Sequence, residues 1–242
     1  MKSSLTSGHL QLLATHYGTS VAASASEDLP ASLLSRVPAT WLDVVTQPNA
    51  STIQALWTAA SADLPRFIDY LARSIEGAGL VEMHGFPALV IALPDWDEEN
   101  CELGPGFCVM GTPTAPQLIS QFCDQAGDIP ASLRQLWTVA NFITLKEHSV
   151  LCSLDGSTRG LTEAPAVLPA LAGDDVPDGV ADCLQIAVIN DQMVTCMIRP
   201  LGHTHWKDQL VLRYRRTDQI STPLRRRLDD KLADWTFTKW EA

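Results

Sequence analysis

The segment LVEMHGFPALVIALP, residues 80–94, marks a change of pattern along the chain. Before it, apolar residues recur every three or four positions, the period of a helix. Within it, two apolar runs flank His84-Gly85-Phe86-Pro87, and turn formers between β-prone runs predict a hairpin. FCVMGT, residues 107–112, predicts a third strand beside it, and DWDEENCELGPG, residues 95–106, reads as an acidic loop between the two. A sheet therefore begins near residue 80.

Upstream of that point the chain reads as helical. HLQLLATHYG (9–18) fits one helix, and Pro38 should split PASLLSRVPATWLDVV (30–45) in two. In STIQALWTAASADLPRFIDYLARSIEGAG (51–79), Ser51 is the expected cap and Pro65 restarts the helix. Phe67, Leu71 and Ile75 recur every four residues, and Gly77 and Gly79 end it.

Downstream the order repeats, helices first and then strands. APQLISQFCDQAG (115–127) is a short amphipathic helix ended by Gly127. In DIPASLRQLWTVANF (128–142), Asp128 is the expected cap, Pro130 suits the first turn, and Leu133, Leu136 and Trp137 share a face. FITLKEHSVLCSLDG (142–156) reads as extended, and EAPAVLPALAGDDVPDG (163–179) as a loop. CLQIAVINDQMVTCMI (183–198) is the clearest strand pair, with a turn at Asn190-Asp191. Both its faces are apolar, so it should be central and covered on both sides by helices. QLVLRYRR (209–216) alternates as a neighbouring strand, and TPLRRRLDDKLADWTF (222–237) closes with a helix. The expected class is α+β, in two helix-then-sheet blocks over 1–112 and 113–242, forming either two subdomains or one composite sheet.

The chain has 242 residues, 46% hydrophobic and 19% charged, with a formal net charge of −11. Residues 1–110 carry 4 basic and 12 acidic groups, residues 111–200 carry 4 and 10, and residues 201–242 carry 9 and 6. The acidity thus belongs to the body of the protein. It argues against nucleic acid or an anionic membrane as a direct partner, because phosphates would repel it, and it suits a basic one. None of Cys101, Cys108, Cys123, Cys152, Cys183 and Cys196 forms a C-x-x-C pair, so free thiols in a reducing cytosol are expected. No run approaches the ~20 apolar residues of a membrane span. Ala23-Ser24-Ala25 has the form of a leader cleavage site, but His9, Gln11 and His16 interrupt the apolar core a leader needs.

Chemistry-bearing patterns are sparse. GSTRG (156–160) fails the nucleophile-elbow pattern, and neither a P-loop nor G-x-G-x-x-G occurs. His203 and His205, two apart, would share a strand face and could begin a metal site, the basis of a metal-dependent hydrolase reading. Asp174, Asp175, Asp178 and Asp182 lack calcium-loop spacing. Arg213, Arg215 and Arg216 with Arg225, Arg226 and Arg227 form a basic cluster suited to internal pairing or a solvated face. The densest acidic cluster is Asp95, Trp96, Asp97, Glu98, Glu99 and Glu102. Carboxylates facing a basic partner, with Trp96 as anchor, fit the way interfaces concentrate energy in aromatic residues.

From residue 113 onward the chain resembles the SUKH superfamily. The resemblance rests on Ile129-Pro130, Leu133, Leu136-Trp137 and Asn141, on the strand pair 183–189 and 192–198, and on a closing helix from Thr222 to Trp235. Phe142 departs from the glycine the family often carries there. The resemblance implies a non-catalytic, cytoplasmic immunity protein without a cofactor, which neutralises a cognate secreted toxin, often a nuclease with a basic active-site surface. An adaptor or chaperone for a secreted effector is the alternative.

Overall fold

The computed structural model describes residues 5–17, 21–22, 30–62, 64–83, 85–97, 102–145, 148–151, 153–154, 165–169, 178–190 and 193–214. It is an α+β fold. Helices α1 (Ser7–Tyr17), α2 (Ala31–Leu34), α3 (Ala39–Thr46), α4 (Ala50–Leu56) and α5 (Pro65–Ser74) lead into strands β2 (Gly77–Met83), β3 (Phe86–Asp97) and β4 (Glu102–Gly111). A two-residue β1 (Val21–Ala22) follows α1. Helices α6 (Pro116–Ala126) and α7 (Ala131–Val139) precede β5 (Ile143–Leu145), β6 (His148–Leu151), β7 (Ala166–Pro169), β8 (Val180–Asn190), β9 (Met193–Pro200) and β10 (Lys207–Tyr214).

Local chemistry explains most of the boundaries. Pro30 and Pro38 stand at the N-caps of α2 and α3, where a missing N–H costs nothing, so Pro38 does divide that segment. Pro65 opens α5. The cap of α4 is Asn49 rather than Ser51. Its Oδ1 accepts from the N–H groups of Ser51 (2.9 Å) and Thr52 (3.2 Å), and Thr52 Oγ1 accepts from the Asn49 N–H (3.3 Å), a reciprocal capping box. Gly127 ends α6 at φ 95°, a left-handed position. A Cβ there would lie 2.8 Å from the Thr204 carbonyl oxygen.

Several expectations fail for identifiable reasons. Gly77 and Gly79 do not terminate a helix; α5 ends at Ser74, and both glycines are buried in β2. Asp128 does not cap α7. Pro130 holds that position, while Asp128 bridges to His205 and its carbonyl accepts the Trp206 N–H at 3.0 Å. Part of the supposed loop 163–179 is β7, paired with β8. Asn190 is the last paired residue of β8, opposite Met193, rather than a turn residue; Asp191, the other half of the expected turn, lies outside the described residues. The expected C-terminal helix lies outside them as well.

All the described strands join one antiparallel sheet in the order β1-β2-β3-β4-β5-β6-β8-β9-β10, with β7 beside β8. The β4–β5 ladder, Cys108↔Leu145 to Met110↔Ile143, carries the sheet across residues 112 and 113. One face holds the main core. Trp41, Ile53, Phe67, Leu71, Ile119, Leu133 and Trp137 from the helices pack on Leu80, Leu89, Ile91, Met110, Ile143, Leu184, Ile186 and Met197 from the sheet. The two segments either side of residue 112 therefore share one apolar cluster. The opposite face carries two smaller clusters. Leu13 of α1 covers Val81, Val90, Phe107, Val109 and Phe142, and Cys183, Val194, Cys196 and Ile198 form the other. The 183–198 hairpin is thus interior to the sheet and apolar on both faces, with Leu184 and Ile186 on one and Val194 on the other.

Candidate functional site

The acidic segment 95–102 is built differently from the expected loop. β3 and β4 continue through it, with Asp95 opposite Gly104, Trp96 opposite Leu103 and Asp97 opposite Glu102; Glu98 and Glu99 lie outside the described residues. Gly, Asp and Glu are poor strand formers, which hides the strand from composition. The ladder register, without a bulge from Ala88↔Gly111 outward, imposes it.

The sheet narrows as it reaches this segment. Among the described residues, β2 pairs with β3 up to Gly77↔Ala92, and β5 pairs with β4 over 108–110. Beyond those points, among the described residues, β3 and β4 run on as a two-stranded ribbon. Pro94 and Pro105 stand directly opposite each other at its base. Neither has an N–H to give the other, so theirs is a non-hydrogen-bonded pair whose backbone nitrogens point to the ribbon's two outer edges. Pro94 removes the outward donor two residues beyond Ala92, where a continued β2 would need it; Pro105 lies three residues beyond Cys108, where the described β4–β5 ladder ends. The missing donors also blunt both edges against stray pairing.

Alternation assigns the positions to faces. On β3, Leu89, Ile91 and Leu93 belong to the main core, as do Cys108 and Met110 on β4. Continuing the period of two, positions 95, 97 and 102 fall on that helix-bearing face, and positions 96 and 103 on the α1 face. The three acidic positions therefore share one face, and position 96 falls on the other.

The remaining candidates resolve as follows. His203 and His205 are both exposed, on a turn set by Gly202 (φ 78°) and the His203 N–H to Pro200 carbonyl bond of 3.0 Å. Their rings meet edge to face, with centroids 5.2 Å apart and planes at 84°, the way rings pack rather than the way two nitrogens converge on an ion. Among the described residues no three His, Cys, Asp or Glu side chains group as a metal site. Asp182 is engaged by Arg199, which donates from Nε at 3.1 Å and Nη2 at 2.5 Å. The Arg199 guanidinium also lies 4.7 Å over the Trp206 ring, and Trp206 Nε1 donates to the Ala126 carbonyl at 2.9 Å. This node fastens the α6–α7 connection to the end of β9. Arg213 is buried at 7% exposure and so does not belong to a surface patch; Arg215, Arg216 and Arg225–Arg227 lie outside the described residues.

Cys108, Cys123, Cys183 and Cys196 are free thiols. Burial pushes the Cys108 thiol up to about 12, so it stays protonated at neutral pH and is a core residue rather than a nucleophile. The motif residues Ile129, Leu133, Leu136 and Trp137 are all buried. Buried Asn141 accepts at Oδ1 from Thr114 Oγ1 (3.0 Å) and the Leu154 N–H (3.1 Å) and donates from Nδ2 to Ser153 Oγ (3.0 Å). It ties the exit of α7 to the segments flanking α6 and β6. The Arg199–Trp206 node and the Asn141 partners are contacts between distant segments that no local pattern announces.

No helix among the described residues is long and apolar enough to cross a membrane. Comparison of the chain with protein-family models, curated proteins and solved structures finds no match.

Proposed function

We propose that the chain is a non-catalytic immunity protein that acts in the cytoplasm, with residues 113–242 SUKH-like, and blocks a cognate secreted toxin by presenting an acidic ribbon to its basic active-site surface. The observation that carries this reading is the placement of acidic positions 95, 97 and 102 on one face of a two-stranded ribbon that, among the described residues, runs beyond its neighbouring strands. A ribbon of this kind reaches into a groove, and its paired backbone limits the conformational entropy lost on docking. The net charge of −11 adds long-range steering toward a cationic surface such as a nuclease uses for phosphate. The burial of Ile129, Leu133, Leu136, Trp137 and Asn141 agrees with their scaffold role in the family the C-terminal segment resembles. Position 96 falls on the opposite face of the ribbon, and in this proposal Trp96 meets the other wall of such a groove.

The test is co-purification with the product of the neighbouring reading frame, followed by binding kinetics of the combined Asp95→Lys, Asp97→Lys, Glu98→Lys and Glu99→Lys variant. The expected result is an association rate lowered roughly tenfold or more, with most of its salt dependence lost. Unchanged kinetics in a folded variant would remove the ribbon as the contact surface.

A further inference from the structure

The N-terminus of α1 has an unusual cap. Thr6 is the N-cap residue, since its carbonyl accepts the first helical bond, from the Leu10 N–H at 3.1 Å. Thr6 Oγ1 accepts the His9 N–H at 3.3 Å, and His9 Nδ1 in return receives the Thr6 N–H at 3.2 Å and lies 2.8 Å from Thr6 Oγ1. This is the reciprocal capping box, with histidine in the position that glutamate or glutamine normally fills. A backbone N–H only donates, so Nδ1 must be the unprotonated nitrogen and the neutral ring carries its proton on Nε2. His9 is 3% exposed, and Nε2 is buried without a hydrogen-bond partner.

Protonation of this ring has two costs. Nδ1 would turn from acceptor to donor: it could still donate to Thr6 Oγ1 at 2.8 Å, but it would face the Thr6 N–H and lose that bond, breaking the reciprocal half of the box. The charge would also sit in a buried site whose second nitrogen has nothing to bond. We propose that the Thr6–His9 box is an acid-sensitive latch: protonating His9 uncaps α1 and releases Leu13 from the sheet face of Val81, Val90, Phe107, Val109 and Phe142.

The surroundings favour the neutral ring. Burial lowers the affinity of His9 for a proton below its ordinary value of 6.5, and the Glu76 carboxylate just before β2 opposes this more weakly. β1 has no titratable residue. Glu82 on β2 and Cys108 on β4 alternate to the opposite face, as do the positions of Asp95, Asp97 and Glu102. His16 is the other histidine of α1. With the folded-state value lowered, the latch contributes fully above the unfolded value of about 6.5. Its contribution is lost as the pH falls from there through the folded-state value. α1 is the described helix that covers this face, so its release exposes an apolar surface while the main core stays closed.

Hydrogen exchange of the α1 amides, corrected for intrinsic rates, tests the latch on the full chain. Between about pH 7.5 and about pH 5, protection of α1 should fall roughly tenfold or more while β3 and β4 keep theirs. His9→Gln, whose amide oxygen can accept the Thr6 N–H without titrating, should hold α1 closed at both pH values, and His16→Gln should leave the switch intact. Should His9→Gln fold poorly, NMR titration of the His9 ring in the native chain decides the matter: an Nε2–H tautomer titrating below 6.5 supports the latch. Equal α1 protection at both pH values, a switch that survives His9→Gln or vanishes with His16→Gln, or a ring titrating at or above 6.5 would overturn it.

Discussion

Asn141 and Gly111 show how much of this fold rests on single residues facing distant partners. Asn141→Ala removes one buried acceptor shared by Thr114 and Leu154 and one donor to Ser153, and should destabilise the protein by roughly 2–3 kcal/mol in denaturant titration. Gly111 is fixed by Phe142, because a Cβ there would stand 2.3 Å from Phe142 Cδ1. Gly111→Ala should cost about 1–3 kcal/mol, and much of that should return in the Gly111→Ala, Phe142→Leu double variant, a coupling read by a double-mutant cycle. Asn141 was visible in the sequence only through the family pattern, and Phe142 only as a departure from it. Gly111, thirty-one residues earlier, makes room for the Phe142 ring through its missing side chain, and one-dimensional reading has no access to such a pair.

At the scale of elements, segments with strong periodicity or proline punctuation were legible, and segments whose structure is imposed by neighbours were not. α2, α3 and α5 start where their prolines predict. The 183–198 pair announced itself by two β-rich runs. The acidic ribbon and β7 did not, because Asp, Glu, Gly and Pro argue for loop while the cross-strand ladder dictates strand. The prolines at the ribbon's base give this element its own prediction. Replacing both Pro94 and Pro105 with threonine restores an N–H to each outer edge, and should turn a monodisperse sample into one that self-associates with concentration in light scattering. Asn49→Ala should cost α4 about 1 kcal/mol, the ordinary worth of a side-chain cap, measured as a lower midpoint in urea.

At the scale of the molecule, the repetition of helices then strands left two arrangements open, and the shared core distinguishes them. Trp41, Phe67 and Leu80 belong to the same apolar cluster as Trp137, Leu184 and Met197, and the β4–β5 ladder makes the sheet continuous. Unfolding should therefore be one transition, with tryptophan fluorescence and far-ultraviolet circular dichroism giving coincident curves; two separated steps would show independent halves. The order of strands in the sheet has a further consequence. Apart from β7, it is the order in which they are made. Each strand leaving the ribosome finds its pairing edge already supplied by its predecessor, so the sheet can lengthen during synthesis without waiting for a distant partner, and the vulnerable growing edge is always the newest strand.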